Sequence, residues 1–169
     1  YEAVGQERIR QIIRFLREQY DYVIMDTPKS FHPVSIAVLE EADRVLLITT
    51  PTLPALRNLV RSLPLIRQIT GKKKGGTIEL VVNRFEAGNL ISMKEIEETA
   101  GMPVLHSIRN DYEAVMSGIN EGKPAVLRGP SIYAKSVRAL AGILTETPVQ
   151  DEDRKGILGG FIGALKSGR

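Results

Sequence analysis

Where the apolar runs of this chain stop, side chains capable of chemistry take over. Tyr22–Met25 gives way to Asp26, Thr27 and Pro28, Val45–Ile48 to Thr49 and Thr50, Ile78–Val82 to Asn83 and Arg84, and the stretch 104–108 to Arg109, Asn110 and Asp111. These ends offer carboxylates, hydroxyls, amides and guanidinium groups, the donors and acceptors that a polar ligand needs. Each also has a plainer use, because Asp, Asn and Thr at the end of a strand cap helices and shape turns. Together they favour a polar-ligand site. Other chemistries are closed off by composition: with no cysteine there is no disulfide, thiolate metal site or cysteine nucleophile. His32 and His106 are the only imidazoles, and neither has neighbours at metal-ligand spacing, which leaves them as loop or packing residues.

The elements that must position these ends follow from periodicity. Ile9, Ile12, Ile13 and Leu16 keep the i, i+3, i+4, i+7 spacing of an amphipathic helix running to about Glu18. A doubly buried strand is expected at Tyr22–Thr27, then a short helix over Pro33–Glu41 and a second apolar strand from Arg44 to Thr50. A longer helix spans Leu53–Ile69, with Pro54 in its first turn, where a missing N–H costs little, and Pro64 inside it as an expected kink. Thr77–Val82 reads as a third buried strand. Ser92 and Glu95 form a capping box opening the helix Met93–Ala100, which Gly101 closes. A short strand at Val104–Ile108, a helix over Tyr112–Asn120 and a last amphipathic helix near Ser131–Leu144 complete the domain.

This alternation predicts an α/β fold: a mostly parallel sheet joined by right-handed crossovers and covered by helices on both faces. Ligands in such sheets bind beyond the carboxyl ends of the strands, where loops converge and helix N-termini present free N–H groups. The polar strand ends should therefore line one edge.

A length of 169 residues, 43% of them hydrophobic and 25% charged, suits one globular domain, expected over 1–146. A net charge of +3 is mild, and Lys72–Lys74 reads as a solvated loop rather than a nucleic-acid contact. No apolar run reaches the roughly 18 residues of a membrane span, and no signal peptide opens the chain. The cytoplasm is the expected compartment, and a first residue of Tyr1 rather than Met suggests a piece of something longer.

The segments "YDYVIMDTP", "ADRVLLITTPTLPALRN", "IELVVNRF", "ISMKEIEETAGMPV" and "IRNDYEAVMSGINEGKPAV", in this order and with these gaps, resemble the C-terminal two thirds of the MinD/ParA superfamily of deviant Walker ATPases, and within it the CpaE-like pilus-assembly branch. The similarity runs from Gln19 to Leu144. The resemblance implies a P-loop NTPase-like fold in which Asp26 is the Walker B and switch II carboxylate, holding the magnesium of bound ATP through a water. Magnesium keeps several waters and takes one or two carboxylates plus phosphate oxygens, so a fixed carboxylate suits it. Thr27, Pro28 and Lys29 would then form the loop sensing the terminal phosphate. Many relatives carry small residues with a glycine after this proline, whereas Lys29 and Ser30 stand here, a departure that bears on switching and hydrolysis. Asn83 matches the adenine-reading asparagine, followed by Arg84 as in relatives. Ile108–Asp111 matches the loop around base and ribose, except that Arg109 replaces the usual proline and its fixed backbone angle. Asn110 and Asp111 fit a helix cap for the segment from Tyr112 equally well.

The phosphate-binding motif of such proteins, G-x-x-x-x-G-K-[ST] or its Lys-Gly-Gly-x-Gly-Lys-Thr variant, is absent from the sequence. In the family it follows a strand in the middle of the sheet, beside the one ending at Asp26. The chain is thus expected to be a fragment, incomplete as a fold, with ATP and magnesium bound by its parent protein.

After Leu144 the character changes, to a polar linker over 147–153 and then a tail over 154–169 in which Ile157, Leu158, Phe161, Ile162 and Leu165 share a helical face flanked by cations. Such a segment suits an interfacial helix on an anionic membrane, as at the end of MinD-type proteins, although a docked helix or a disordered end fits too. Its glycines, at about 1 kcal/mol each relative to alanine, oppose an isolated helix. The resemblance implies an ATPase that forms an ATP-dependent homodimer and positions a membrane-associated machine for pilus assembly or secretion, peripheral to the inner face of the cell membrane. A non-hydrolysing scaffold and a partition ATPase acting on DNA are the alternatives.

Overall fold

The computed structural model describes residues 5–71 and 76–147. The lysine loop, the linker after Thr147 and the tail with its apolar face lie outside the described residues. The chain forms two compact units: one runs through Val82 and includes Asn89–Leu105, the other comprises Asn83–Gly88 and the chain from His106 onward. The fold class is α/β, with a parallel three-stranded sheet of β1 (Arg44–Thr49), β2 (Thr77–Phe85) and β3 (Val104–Arg109), in the order β1-β2-β3.

In the first unit α1 (Gln6–Gln19) lies on α2 (Pro33–Glu41) through a narrower apolar stripe than its sequence suggests. Only Ile13 is buried, whereas Ile12 is 45% exposed and Phe15 61%. Charge supplies what the stripe lacks: Arg10, Arg14 and Arg17, at i, i+4 and i+7, reach Glu40 at 2.6 Å, Glu41 at 3.3 Å and Asp43 at 2.6 Å. Surface pairs such as Arg14–Glu41 and Arg17–Asp43 contribute about 0–1 kcal/mol each, so the ladder, in which only Arg10–Glu40 is part-buried, orients α1 more than it stabilises it. β1 pairs in parallel with β2 from Arg44 opposite Thr77 to Thr49 opposite Val82. Leu80, Val81 and Val82 are fully buried, as the near-continuous apolar runs of parallel strands require. α3 (Leu53–Thr70) buries Leu56, Leu59, Leu63, Ile66 and Ile69, a 3.6-residue stripe worth about 1.5–3 kcal/mol per side chain, and it continues through Pro64. α4 (Met93–Ala100) has the expected capping box, Ser92 Oγ accepting from the Glu95 N–H at 3.2 Å while Glu95 accepts from the Ser92 N–H at 2.7 Å. Gly101 closes it in the left-handed region, with φ of 62°.

The expected strand at Tyr22–Thr27 is not formed. Residues 21–27 take part in no backbone–backbone hydrogen bond among the described residues, and Tyr22 and Ile24 are 61% and 93% exposed. An apolar run satisfies its backbone as a strand only beside another strand, and among the described residues β1, on the outer side of the sheet order, pairs with β2 alone.

The second unit is built on α5 (Tyr112–Asn120), α6 (Ala125–Arg128) and α7 (Ile132–Thr145). Ala134 and Leu140 of α7 are buried, as is Ile108, and Ser131 caps α7 by accepting from the Ala134 N–H at 3.0 Å. The four-residue α6 is too short to show a period, and the sequence reading missed it. Gly118 permits the close approach of α5 to the start of α6, since a Cβ there would stand 2.8 Å from the Lys123 carbonyl oxygen.

Candidate functional site

The residues singled out by the sequence fall in two places. In the second unit they gather at one corner. Asn83 and Arg84 lie within β2, which extends past the expected end at Val82 to Phe85. Arg84 adopts φ of 57°, a left-handed conformation rare for a side chain of its size. Asn83 supports it, its side-chain oxygen accepting the Arg84 N–H at 2.8 Å. The neighbouring strand end is tied in when the Asn110 N–H donates to the Phe85 carbonyl at 3.1 Å, and the Asn110 side-chain NH2 donates to the Glu86 carboxylate. Asp111 caps α5, accepting from the Ala114 N–H at 3.2 Å. The helix-cap reading of Asp111 is therefore realised, whereas Asn110 turns its amide to Glu86 instead.

Arg109 is held by its backbone. Its N–H donates to Ser136 Oγ at 3.1 Å, and that hydroxyl in turn donates to the Tyr133 carbonyl at 2.8 Å. His106 Nε2 donates to the Ser136 carbonyl at 2.8 Å. β3 is thus fastened to α7 through both the carbonyl and the hydroxyl of Ser136, which holds the backbone at Arg109 in place.

In the first unit Asp26 stands alone. It is exposed, and among the described residues its carboxylate has neither a hydrogen bond nor an ion pair. Thr27 is half-buried and Pro28 and Lys29 are exposed; the Ser30 N–H turns back to the Pro28 carbonyl at 2.7 Å, closing a tight turn just after the aspartate. At the end of β1, Thr50 Oγ1 and Thr52 Oγ1 are 3.3 Å apart. No group of three or more His, Asp or Glu side chains among the described residues could hold a metal without further ligands. A lone exposed carboxylate can still serve magnesium if phosphate oxygens and water complete the shell. A concavity of about 610 Å³ is lined by Arg67, Ile78, Glu79 and Met102–Leu105, at the amino ends of β2 and β3. Ligands of parallel sheets bind at the opposite ends.

Glu86 is the residue that sequence reasoning missed. It follows Phe85 with no motif to mark it, and only the fold brings its carboxylate to Asn110.

No family model matches the chain. It is 26% identical over 165 residues to the septum site-determining protein MinD of Bacillus subtilis, covering 92% of this chain and 60% of that protein. Among solved structures, a ParA family ATPase from Chlorobium tepidum superposes with a TM-score of 0.72 at 29% identity, covering 79% of this chain and 54% of that one. The cell division ATPase MinD of Pyrococcus furiosus does so at 0.68 and 25%, covering 84% and 59%. The chain spans between two-fifths and about three-fifths of the length of the curated relatives it matches. It is homologous to the MinD/ParA-family P-loop ATPases.

Proposed function

We propose that this chain supplies the base-binding corner and the magnesium carboxylate of a MinD/ParA-type ATPase whose phosphate-binding loop lies outside the sequence. The observation that carries the reading is the corner at Asn83 and Asn110: two amides at adjoining strand ends, each oriented by a hydrogen bond. Asp26 would hold magnesium through water, and Thr27 and Pro28 would shape the loop behind it. A strand added at the free edge of β1 would give Tyr22–Thr27 a partner and fix Asp26 at a strand end. This explains why so apolar a run is left without a ladder among the described residues.

On this reading the whole protein forms an ATP-dependent homodimer in the cytoplasm. The motif order favours the CpaE-like branch, with a pilus-assembly or secretion machine as partner. No described helix is long and apolar enough to cross a membrane; contact with an anionic bilayer would fall to Ile157, Leu158, Phe161, Ile162 and Leu165 of the tail, and two copies would strengthen it.

Titration calorimetry of the full-length protein with ATP tests the reading: binding should require magnesium and be lost in Asp26→Ala. A second reading, a scaffold on the same fold that does not hydrolyse ATP, draws on Lys29 and Ser30 where a small residue and glycine are usual. Magnesium-independent or absent binding would leave only that one.

A further inference from the structure

The two asparagines of the corner have amides that could each face either way, and their partners decide. A backbone N–H can only donate, so the side chain that meets the Arg84 N–H must present its oxygen; Asn83 therefore keeps its NH2 for a ligand. A carboxylate can only accept, so the side chain that meets Glu86 must present its NH2; Asn110 therefore keeps its oxygen. Among the described residues neither the Asn83 NH2 nor the Asn110 side-chain oxygen has another partner. The corner thus offers one donor and one acceptor.

That pair is not neutral between purines. Adenine shows an exocyclic NH2 donor next to a ring-nitrogen acceptor, which meets an acceptor and a donor. Guanine puts the acceptor O6 where adenine has its NH2. Against guanine the Asn110 oxygen would face another acceptor, and relief would require the amide to turn over. Turning it would point the Asn110 oxygen at the Glu86 carboxylate, again acceptor against acceptor. The backbone locks Asn83, but only Glu86 locks Asn110.

We propose that Glu86 is a positioning residue that sets base selectivity, fixing the Asn110 amide through its carboxylate so that the corner accepts adenine and rejects guanine. The inference rests on the nucleotide reading above. Glu86 need not touch the base; it is exposed on the surface, so its replacement does not threaten the core.

The experiment is competition of ATP and GTP against a fluorescent ATP analogue on the full-length protein, with Glu86→Gln and Glu86→Ala beside the unaltered protein. A glutamine can accept from or donate to Asn110, so it removes the bias while keeping shape. The preference for ATP over GTP should shrink by about tenfold in both variants, the scale of one mispaired polar contact, mainly through tighter GTP. A merely structural role would weaken ATP and GTP alike, and that parallel loss overturns the inference, as does an unchanged ratio with ATP binding intact; either leaves the nucleotide reading standing. If the unaltered protein binds neither nucleotide, both fall.

Discussion

Asn83 and Asp26 are the two residues on which a nucleotide reading of this chain turns, and they sit in contrasting surroundings. The Asn83 corner is closed by five hydrogen bonds, from the backbone N–H groups of Arg84, Arg109, Asn110 and Ala114 and from the Asn110 side-chain NH2, to partners between one and twenty-seven residues away in the same unit. The run before Asp26 has no backbone partner among the described residues, and its Ile24 is 93% exposed. Both stretches are apolar up to their polar ends, so composition does not separate them. What separates them is pairing: the polar groups of the corner find partners among the described residues, whereas the backbone of the run before Asp26 finds none there.

The largest effect expected from that contrast is in hydrogen exchange. Amides of Tyr22–Thr27 should exchange almost freely in this chain, while the full-length protein should protect them by about a thousandfold or more, the gap between a frayed segment and a core strand. Equal exchange in the two would break the comparison. Next in size, Asp26→Asn in the full-length protein should lower magnesium-dependent ATP turnover by about a hundredfold, in line with loss of an electrostatic contact at a phosphoryl-transfer site. The same substitution should shift the stability of this chain by no more than about 0.5 kcal/mol, because the side chain has no partner to lose. Turnover that survives would remove Asp26 from the chemistry.

Asn83→Ala sharpens the contrast from the other side. It removes the bond that accepts the Arg84 N–H, so denaturant unfolding of this chain should report a loss of about 1 kcal/mol, where Asp26→Asn reports almost none. The smallest effect is one of pH. The Ser92 hydroxyl, and then the Ser92 backbone N–H, hydrogen-bond the Glu95 carboxylate and hold its pKa below the ordinary value. A lowered folded pKa means that the stabilisation is present above the unfolded value, near 4.3, and is lost as pH falls through the folded one. Melting temperatures of Glu95→Gln and the unaltered chain should therefore converge at acid pH and diverge toward neutrality; parallel curves would show that the capping box does not titrate.

The parts of the fold that local chemistry dictates were legible in the sequence. α2, α4 and α5 have the bounds that their apolar spacing and flanking residues predict, and the Ser92–Glu95 box and the Gly101 stop are as read. The strand before Asp26 was misread because an apolar run reports what a segment needs, not whether its partner is there. β2 outruns its expected end, continuing to Phe85 through an Arg84 whose positive φ no propensity assigns to arginine. In the candidate site, Asn83 and Asn110 were legible through resemblance and Asp111 through its capping position. Glu86 was not, since its meeting with Asn110 spans 24 residues and depends on two strands lying side by side.

The free side of β1 has a consequence for anyone who handles this chain. Val45 packs inward while Ile48, 63% exposed, stands on a strand that among the described residues pairs on one side and leaves an open rail on the other. Such a rail zips onto any extended peptide offered to it, including the same rail on a second molecule. Concentrated preparations should cloud with time, and a short peptide that caps the rail should keep them clear.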